Sequence, residues 1–223
     1  MARLSDDFLS HFYYGLRTDY LERIKGEKKN LSEVFLGLTR NNPVVVSCDN
    51  QFTPNGAVKS VGFHLKDEYI DEAREAYDEF LDWRWKKIKE TMGSNYEGEG
   101  WLYSPHPDFI VDGLKHALKF IYLSREEAEN RIELEKLGTL EGFNKKTWAN
   151  IQQNKKVAIV YYYPPGIHFQ INCRVEIQKS GKLREFINRA ACLAHGDNPA
   201  KWPKRTAYIF HVEEEIDKSV YTQ

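Results

Sequence analysis

Three consecutive side chains, Lys145, Lys146 and Thr147, open a short helical pattern that runs to about Gln153. Two lysines at a helix start run against the helix dipole, which places partial positive charge at that end and favours cations at the other. The arrangement makes sense with an anion there, because free backbone N–H groups, ammonium groups and a hydroxyl together bind phosphate. The plainer alternative is a solvated helix start in a lysine-rich chain. An apolar strand, Val157 to Tyr163, follows at once, and a Pro-Pro-Gly turn leads into an alternating strand, His168 to Ile177. His168 and Gln170 share one face of that strand, because successive side chains point to opposite faces. They are either a hydrogen-bonding pair offered to a ligand or a polar pair between strands.

Other chemistries have little support. The chain has no HExxH or CxxC metal pattern, no Gly-x-Ser-x-Gly elbow, no P-loop and no GxGxxG turn. Cys192 and His195 are near in sequence but lack a third ligand. Trp83, Trp85, Trp101 and Trp148 are of a type that stacks on planar ligands, but scattered tryptophans are more often packing residues. No catalytic acid, base or nucleophile is assigned.

The 223 residues fit one domain with an insertion better than two full domains. The formal net charge of −1 gives no global case for nucleic acid or an anionic membrane surface. Cys48, Cys173 and Cys192 form an odd, sparse set, which predicts free thiols in a reducing, cytoplasmic setting. No charged start precedes an apolar stretch, so no signal peptide is expected. The longest apolar run, Val157 to Tyr163, is far too short to span a membrane.

The elements that must position these residues follow from periodicity. Ser5 caps a helix whose face carries Phe8, Phe12, Leu16, Tyr20 and Ile24 and which ends at Gly26. Asn30 and Glu33 predict a capping pair for a helix from Leu31 to Thr39. Pro43 to Cys48 reads as a strand, Pro54-Asn55-Gly56 as a turn, and Ala57 to Leu65 as the returning strand. Asp67 to Thr91 carries an apolar helical face, with Leu81 and Trp85 expected to point inward. A loop is expected over 93–113, then a strand from His116 to Leu123. Ser124 and Glu127 predict a capping box for a helix to about Leu137. A helix from Leu183 to Leu193 and a last strand from Thr206 to Glu213 complete the chain.

The run from Asn144 to Ile177 resembles flavin-binding split-barrel proteins of the pyridoxamine 5'-phosphate oxidase type. In that family a strand is followed by an Arg-Lys pair, a short helix ending in Ile or Leu, Asn-Pro-Arg-Val and a strand hairpin. Counting back from Ile151 and Asn154, Lys146 falls where the family has Arg and Thr147 where it has Lys. Asn154-Lys155-Lys156-Val157 stands for Asn-Pro-Arg-Val. The resemblance covers roughly residues 43–65 and 115–213 and leaves out the N-terminal helices and the middle. About twenty residues separate the third strand from the basic pair here, where the family has only a few.

The resemblance implies a six-stranded antiparallel split β-barrel flanked by helices, with an insertion at about 66–114. It implies a homodimer with FMN in the groove between subunits, acting as an oxidoreductase on an unknown substrate. Lys145, Lys146 and Thr147 would grip the FMN phosphate, and Lys59 would reach it from the second strand. Ser60 and Val61 would offer backbone groups to the flavin ring, as would Tyr122 and Leu123 at the end of the third strand. His168 or Gln170 would hydrogen-bond the ring or ribityl chain. Each also has a structural reading: Lys59 as an outward polar residue, Tyr122 and Leu123 as core. The same barrel also suits a non-catalytic flavin- or haem-binding module. The Arg-x-His segment by which authentic oxidases close over substrate is absent, since no arginine follows Arg205 and Glu213-Glu214-Glu215 succeeds the last strand.

Overall fold

The structure is a computed structural model and describes residues 2–27, 30–94, 107–195 and 205–220. Eight α-helices and six strands are described. The helices are α1 (Asp6–Leu9), α2 (Gly15–Ile24), α3 (Leu31–Thr39), α4 (Ile70–Met92), α5 (Pro107–Phe120), α6 (Arg125–Arg131), α7 (Lys146–Gln153) and α8 (Lys182–His195). The strands are β1 (Val44–Cys48), β2 (Pro54–Val58), β3 (Lys136–Leu140), β4 (Lys156–Tyr163), β5 (Ile167–Gln178) and β6 (Ala207–Asp217).

The strands form one antiparallel sheet in the order β2-β1-β4-β5-β6-β3. The register sets Val45 against Ile159, Ile159 against Ile171, and Val175 against Phe210. These residues share the inner face, and all are buried. A register shift between Asn172 and Cys173 lets β6 bend around. The sheet curls until the chain beyond β2 reaches β3. The seam is closed by the isolated bridge Gly62↔Gly138, with N–H···O bonds of 2.8 and 2.9 Å. This is the six-stranded antiparallel split barrel with flanking helices that the sequence led us to expect.

The N-terminal helices close one end of the barrel. Ser5 caps α1 by accepting from the Phe8 N–H, and a π-helical turn over Ser10–Tyr14 joins α1 to α2. Phe8 and Phe12, both fully buried, meet Tyr161 of β4 and Phe169 of β5. Arg40 reaches back to donate to the His11 carbonyl, and its guanidinium lies 4.0 Å from the centre of the Tyr163 ring. A Cβ at position 15 would meet that guanidinium, so any larger residue there would push the Arg40 side chain out of this position.

The capping boxes at Asn30/Glu33 and Ser124/Glu127 are present as read from the sequence. Helix α4 packs along α8, with Tyr77 stacked on Phe186 at 5.8 Å. Leu81 is buried as expected, whereas Trp85 is only half-buried, and the fully enclosed residue of that turn is Arg84. Arg84 donates to the carbonyls of Cys192 and Leu193 at 2.6 and 3.0 Å, satisfying acceptors near the end of α8.

Three expectations need correction. Residues 116–120 belong to helix α5, so the strand from His116 to Leu123 does not exist. The third strand is β3, and α6 stops at Arg131 because Ile132 adopts an extended conformation. The returning strand of the first hairpin is Pro54–Val58, so residues 54–56 are strand and the turn lies at 49–53. Of the loop read over 93–113, residues 95–106, with Trp101 and Tyr103, lie outside the described residues, and residues 107–113 belong to helix α5 rather than to a loop; the side chain of His195 is likewise outside the described residues.

Candidate functional site

A cleft of about 750 Å³ opens along the barrel seam. Lys59, Ser60, Val61 and Gly62 form one lip, and Thr139, Leu140, Gly142 and Phe143 continue it from the end of β3. The opposite wall is apolar, from Leu16 and Tyr20 of α2, Ala117 of α5, Ile121 and Tyr122 just beyond it, and Phe186, Ile187 and Ala190 of α8. Gly138 lets α8 come this close, because a Cβ there would lie 2.8 Å from the Ile187 Cδ1. The volume is that of an ordinary small-molecule site.

Lys59 stands on this lip but is already engaged. Its Nζ lies 3.1 Å from the Glu141 Oε2, and both side chains are largely buried. Glu141 also accepts from the Tyr208 hydroxyl at 2.8 Å and from the N–H groups of Phe143 and Asn144, both at 2.9 Å. Burial pushes the Glu141 carboxyl up, but the Phe143 N–H, the Tyr208 hydroxyl and the Lys59 charge outweigh it and hold it below its ordinary value. Its own burial, and then the same contact with Glu141, raise the Tyr208 phenol. Lys59 therefore brings little net positive charge to the cleft. Glu141 escaped the sequence reading because its partners lie 82 and 67 residues away.

The main chain at the lip is partly used. The Val61 N–H donates to the Asn41 carbonyl at 2.9 Å, and the Ser60 carbonyl accepts from the Thr139 hydroxyl at 2.5 Å. The Ser60 hydroxyl donates to Asn42 at 2.7 Å.

Lys145, Lys146 and Thr147 do start a helix. Lys145 is the N-cap of α7 and supplies no side-chain cap, and the first turn contains no acid. The corrected β3 ends at Leu140, so only a few residues separate it from the basic pair, as in the family pattern. Lys145 and Lys146 are exposed, with the Lys146 Nζ 3.4 Å from Asp49 in the β1–β2 turn. Hydrogen bonds from the Thr53 and Gln51 N–H groups, against slight desolvation, help hold the Asp49 carboxyl low, and Lys146 adds to them. Thr147 is buried, and its hydroxyl accepts from Asn55 of β2 at 3.0 Å. The triplet thus sits at one end of β2 and Lys59 just past the other, about 13 Å apart at strand rise.

Tyr122 borders the cleft, with its ring 5.1 Å from Tyr20. Leu123 is core, and its N–H donates to the buried Tyr13 hydroxyl at 2.8 Å. Neither belongs to a strand. His168 and Gln170 lie on the outer face of β5, away from the cleft. The His168 ring meets Tyr162 edge-on at 4.7 Å, and Gln170 bonds Asn172 and Lys218. Gln170 continues a register row that runs Val58, Val44, Val160 across β2, β1 and β4. Those three valines are exposed, as are Leu31, Phe35 and Leu38 of α3.

Glu213, Glu214 and Glu215 lie within β6 rather than after it. Glu214 accepts from Asn172, and Glu215 accepts from the Ser5 N–H. Cys48, Cys173 and Cys192 are free thiols. Among the described residues, no cluster of His, Cys, Asp and Glu is placed to hold a metal, and no helix is long and apolar enough to cross a membrane.

No protein-family model matches the chain, and no curated protein matches it by sequence. Solved structures that it is similar to include HupZ of Group A Streptococcus, 15% identical over 87% of this chain and 100% of that one, with a TM-score of 0.43. Another is a protein from Lactobacillus delbrueckii provisionally assigned as a pyridoxamine 5'-phosphate oxidase, 12% identical over 85% and 93%, TM-score 0.40. A third is an FMN-binding protein from Syntrophomonas wolfei, 10% identical over 93% and 97%, TM-score 0.41. The fold is defined by this chain's own strand order and register, and these likenesses add nothing to the chemistry of the site.

Proposed function

We propose that this chain binds FMN at the barrel seam, as one half of a homodimer, and uses it for redox chemistry on a small molecule. The observation that carries this reading is the seam cleft, polar along the barrel lip and apolar along the α5–α8 wall. A planar heteroaromatic ring needs that combination of an apolar face and edge-on hydrogen-bonding groups. Bound flavin supplies two-electron transfer, and the protein supplies position and hydrogen bonds. Ser60, Val61 and Thr139 border the ring's place, and Tyr122 offers an aromatic wall. Lys145 and Lys146 at the uncapped start of α7 receive the phosphate. Lys59, neutralised by Glu141, does not contribute a phosphate-binding charge. The pairing of subunits covers the exposed valine row and brings His168 and Gln170 to the interface.

Lys146→Ala is expected to weaken FMN roughly ten- to a hundred-fold, the loss of about 1.5–3 kcal/mol from a charge-assisted contact. Riboflavin, which lacks the phosphate, should bind variant and parent alike. Equal FMN affinity in both proteins removes Lys146 from the site. The purified protein should be yellow or take up added FMN. A Soret band would favour a haem-binding module instead, and a protein that ignores FMN would end the flavin reading.

A further inference from the structure

The Glu141 carboxylate sits where an external anion could sit. Four donors converge on it from separate places: the Lys59 ammonium past β2, the Tyr208 hydroxyl on β6, and consecutive N–H groups at Phe143 and Asn144. The two consecutive N–H groups converge, as a nest, on one carboxylate oxygen of Glu141, and the positive φ of 48° at Asn144 turns the chain away from it just before α7. Lys59, Gly142 and Phe143 also line the cleft, so the nest lies at its wall.

We propose that this nest is an anion site held by the chain's own Glu141, and that a small molecule ending in a carboxylate or phosphate competes with Glu141 for Lys59 and the two N–H groups. The tethered carboxylate has a high effective concentration, so free anions in solution do not displace it. A ligand already held by the cleft meets Glu141 on equal terms, because it too is tethered. Glu141 then sets which ligands the cleft accepts at its polar end: neutral groups leave Lys59 paired, and anionic groups must evict a carboxylate. The site stands apart from the flavin reading, and its test uses no flavin.

The experiment is rescue of a truncated side chain. Glu141→Ala removes the carboxylate and leaves its four donors facing a space that acetate or inorganic phosphate fills. Thermal unfolding is followed with sodium acetate, phosphate or chloride at one ionic strength. Glu141→Ala should melt well below the parent in chloride and regain much of the loss in acetate or phosphate. The parent and Glu141→Gln, whose amide fills the space, should not distinguish the anions. The double variant Lys59→Met/Glu141→Ala should lose most of the rescue. If Glu141→Ala does not fold in chloride, its refolding yield in acetate is the readout. The proposal is overturned by equal melting or equal refolding of Glu141→Ala in acetate, phosphate and chloride. It is equally overturned by a rescue of the same size in the parent or without Lys59.

Discussion

Replacing Phe8 with alanine is expected to lower the unfolding free energy by about 3–5 kcal/mol, the usual cost of removing a buried phenyl ring. At this chain length that corresponds to a fall in melting temperature of roughly 6–20 °C. Phe8 is fully buried and stands in an aromatic cluster, with ring centres 5.0 Å from Phe12, 4.9 Å from Tyr161 and 5.5 Å from Phe169. The contacts with Tyr161 and Phe169 are edge-to-face, at 82° and 79°, the geometry that aromatic quadrupoles favour. The N-terminal helix is thus part of the barrel's interior, although it lies outside the family resemblance. Phe35→Ala provides the contrast, because that ring is 59% exposed and should move the melting point little. A calorimetric scan in which both variants melt like the parent would show that the helix only rests on the barrel.

Stability is also expected to fall on acidification well before the carboxylates titrate. Burial pushes the His64 imidazole down from 6.5 to about 4. Its Nδ1 is 3.2 Å from the Leu65 carbonyl, and its buried Nε2 has no hydrogen-bond partner. Below pH 6.5 the unfolded chain takes up a proton that the folded chain refuses until about pH 4. The contribution of neutral His64 is therefore complete above pH 6.5 and is lost as pH falls through this window, amounting to roughly 3 kcal/mol at its acid end. Asp49, Glu127, Glu141 and Glu176, whose carboxyls are held low, add their losses further down. Denaturant midpoints measured between pH 7 and 5 should slope in the parent and flatten in His64→Gln, since only the parent has this group to protonate. An unchanged slope in the variant would locate the acid sensitivity elsewhere.

The fold was legible where one period dominated. Strands β4 and β5 alternate between buried and more exposed positions, β6 opens as an apolar run buried on both faces, and the capped helices α1, α3 and α6 announce their starts through Ser5, Asn30 and Ser124. The stretch from His116 to Leu123 misled because apolar and aromatic residues crowd it too densely to show a period. Its helical character appears only in what it buries, with Ala117 and Phe120 one turn apart in the core. Strand β3, Lys-Leu-Gly-Thr-Leu, has weak strand propensity and is held by pairing with β6 along its whole length. Correcting it removed the surplus residues between the third strand and the basic pair. The start of α7 was readable because its lysines break a local electrostatic rule. The Lys59–Glu141–Tyr208 cluster was not, since a contact across the barrel leaves no mark on local spacing.

The seam has a mechanical consequence. The other junctions of the barrel are ladders of paired strand residues, whereas among the described residues the chain beyond β2 meets β3 and the segment before it through two isolated bridges, Gly62↔Gly138 and Leu65↔Ile132. Four backbone hydrogen bonds at two separate bridges are a sparser junction than any of the ladders and cost less to separate. The barrel therefore behaves less like a rigid can than like a split ring, with its give concentrated on the line where the cleft lies.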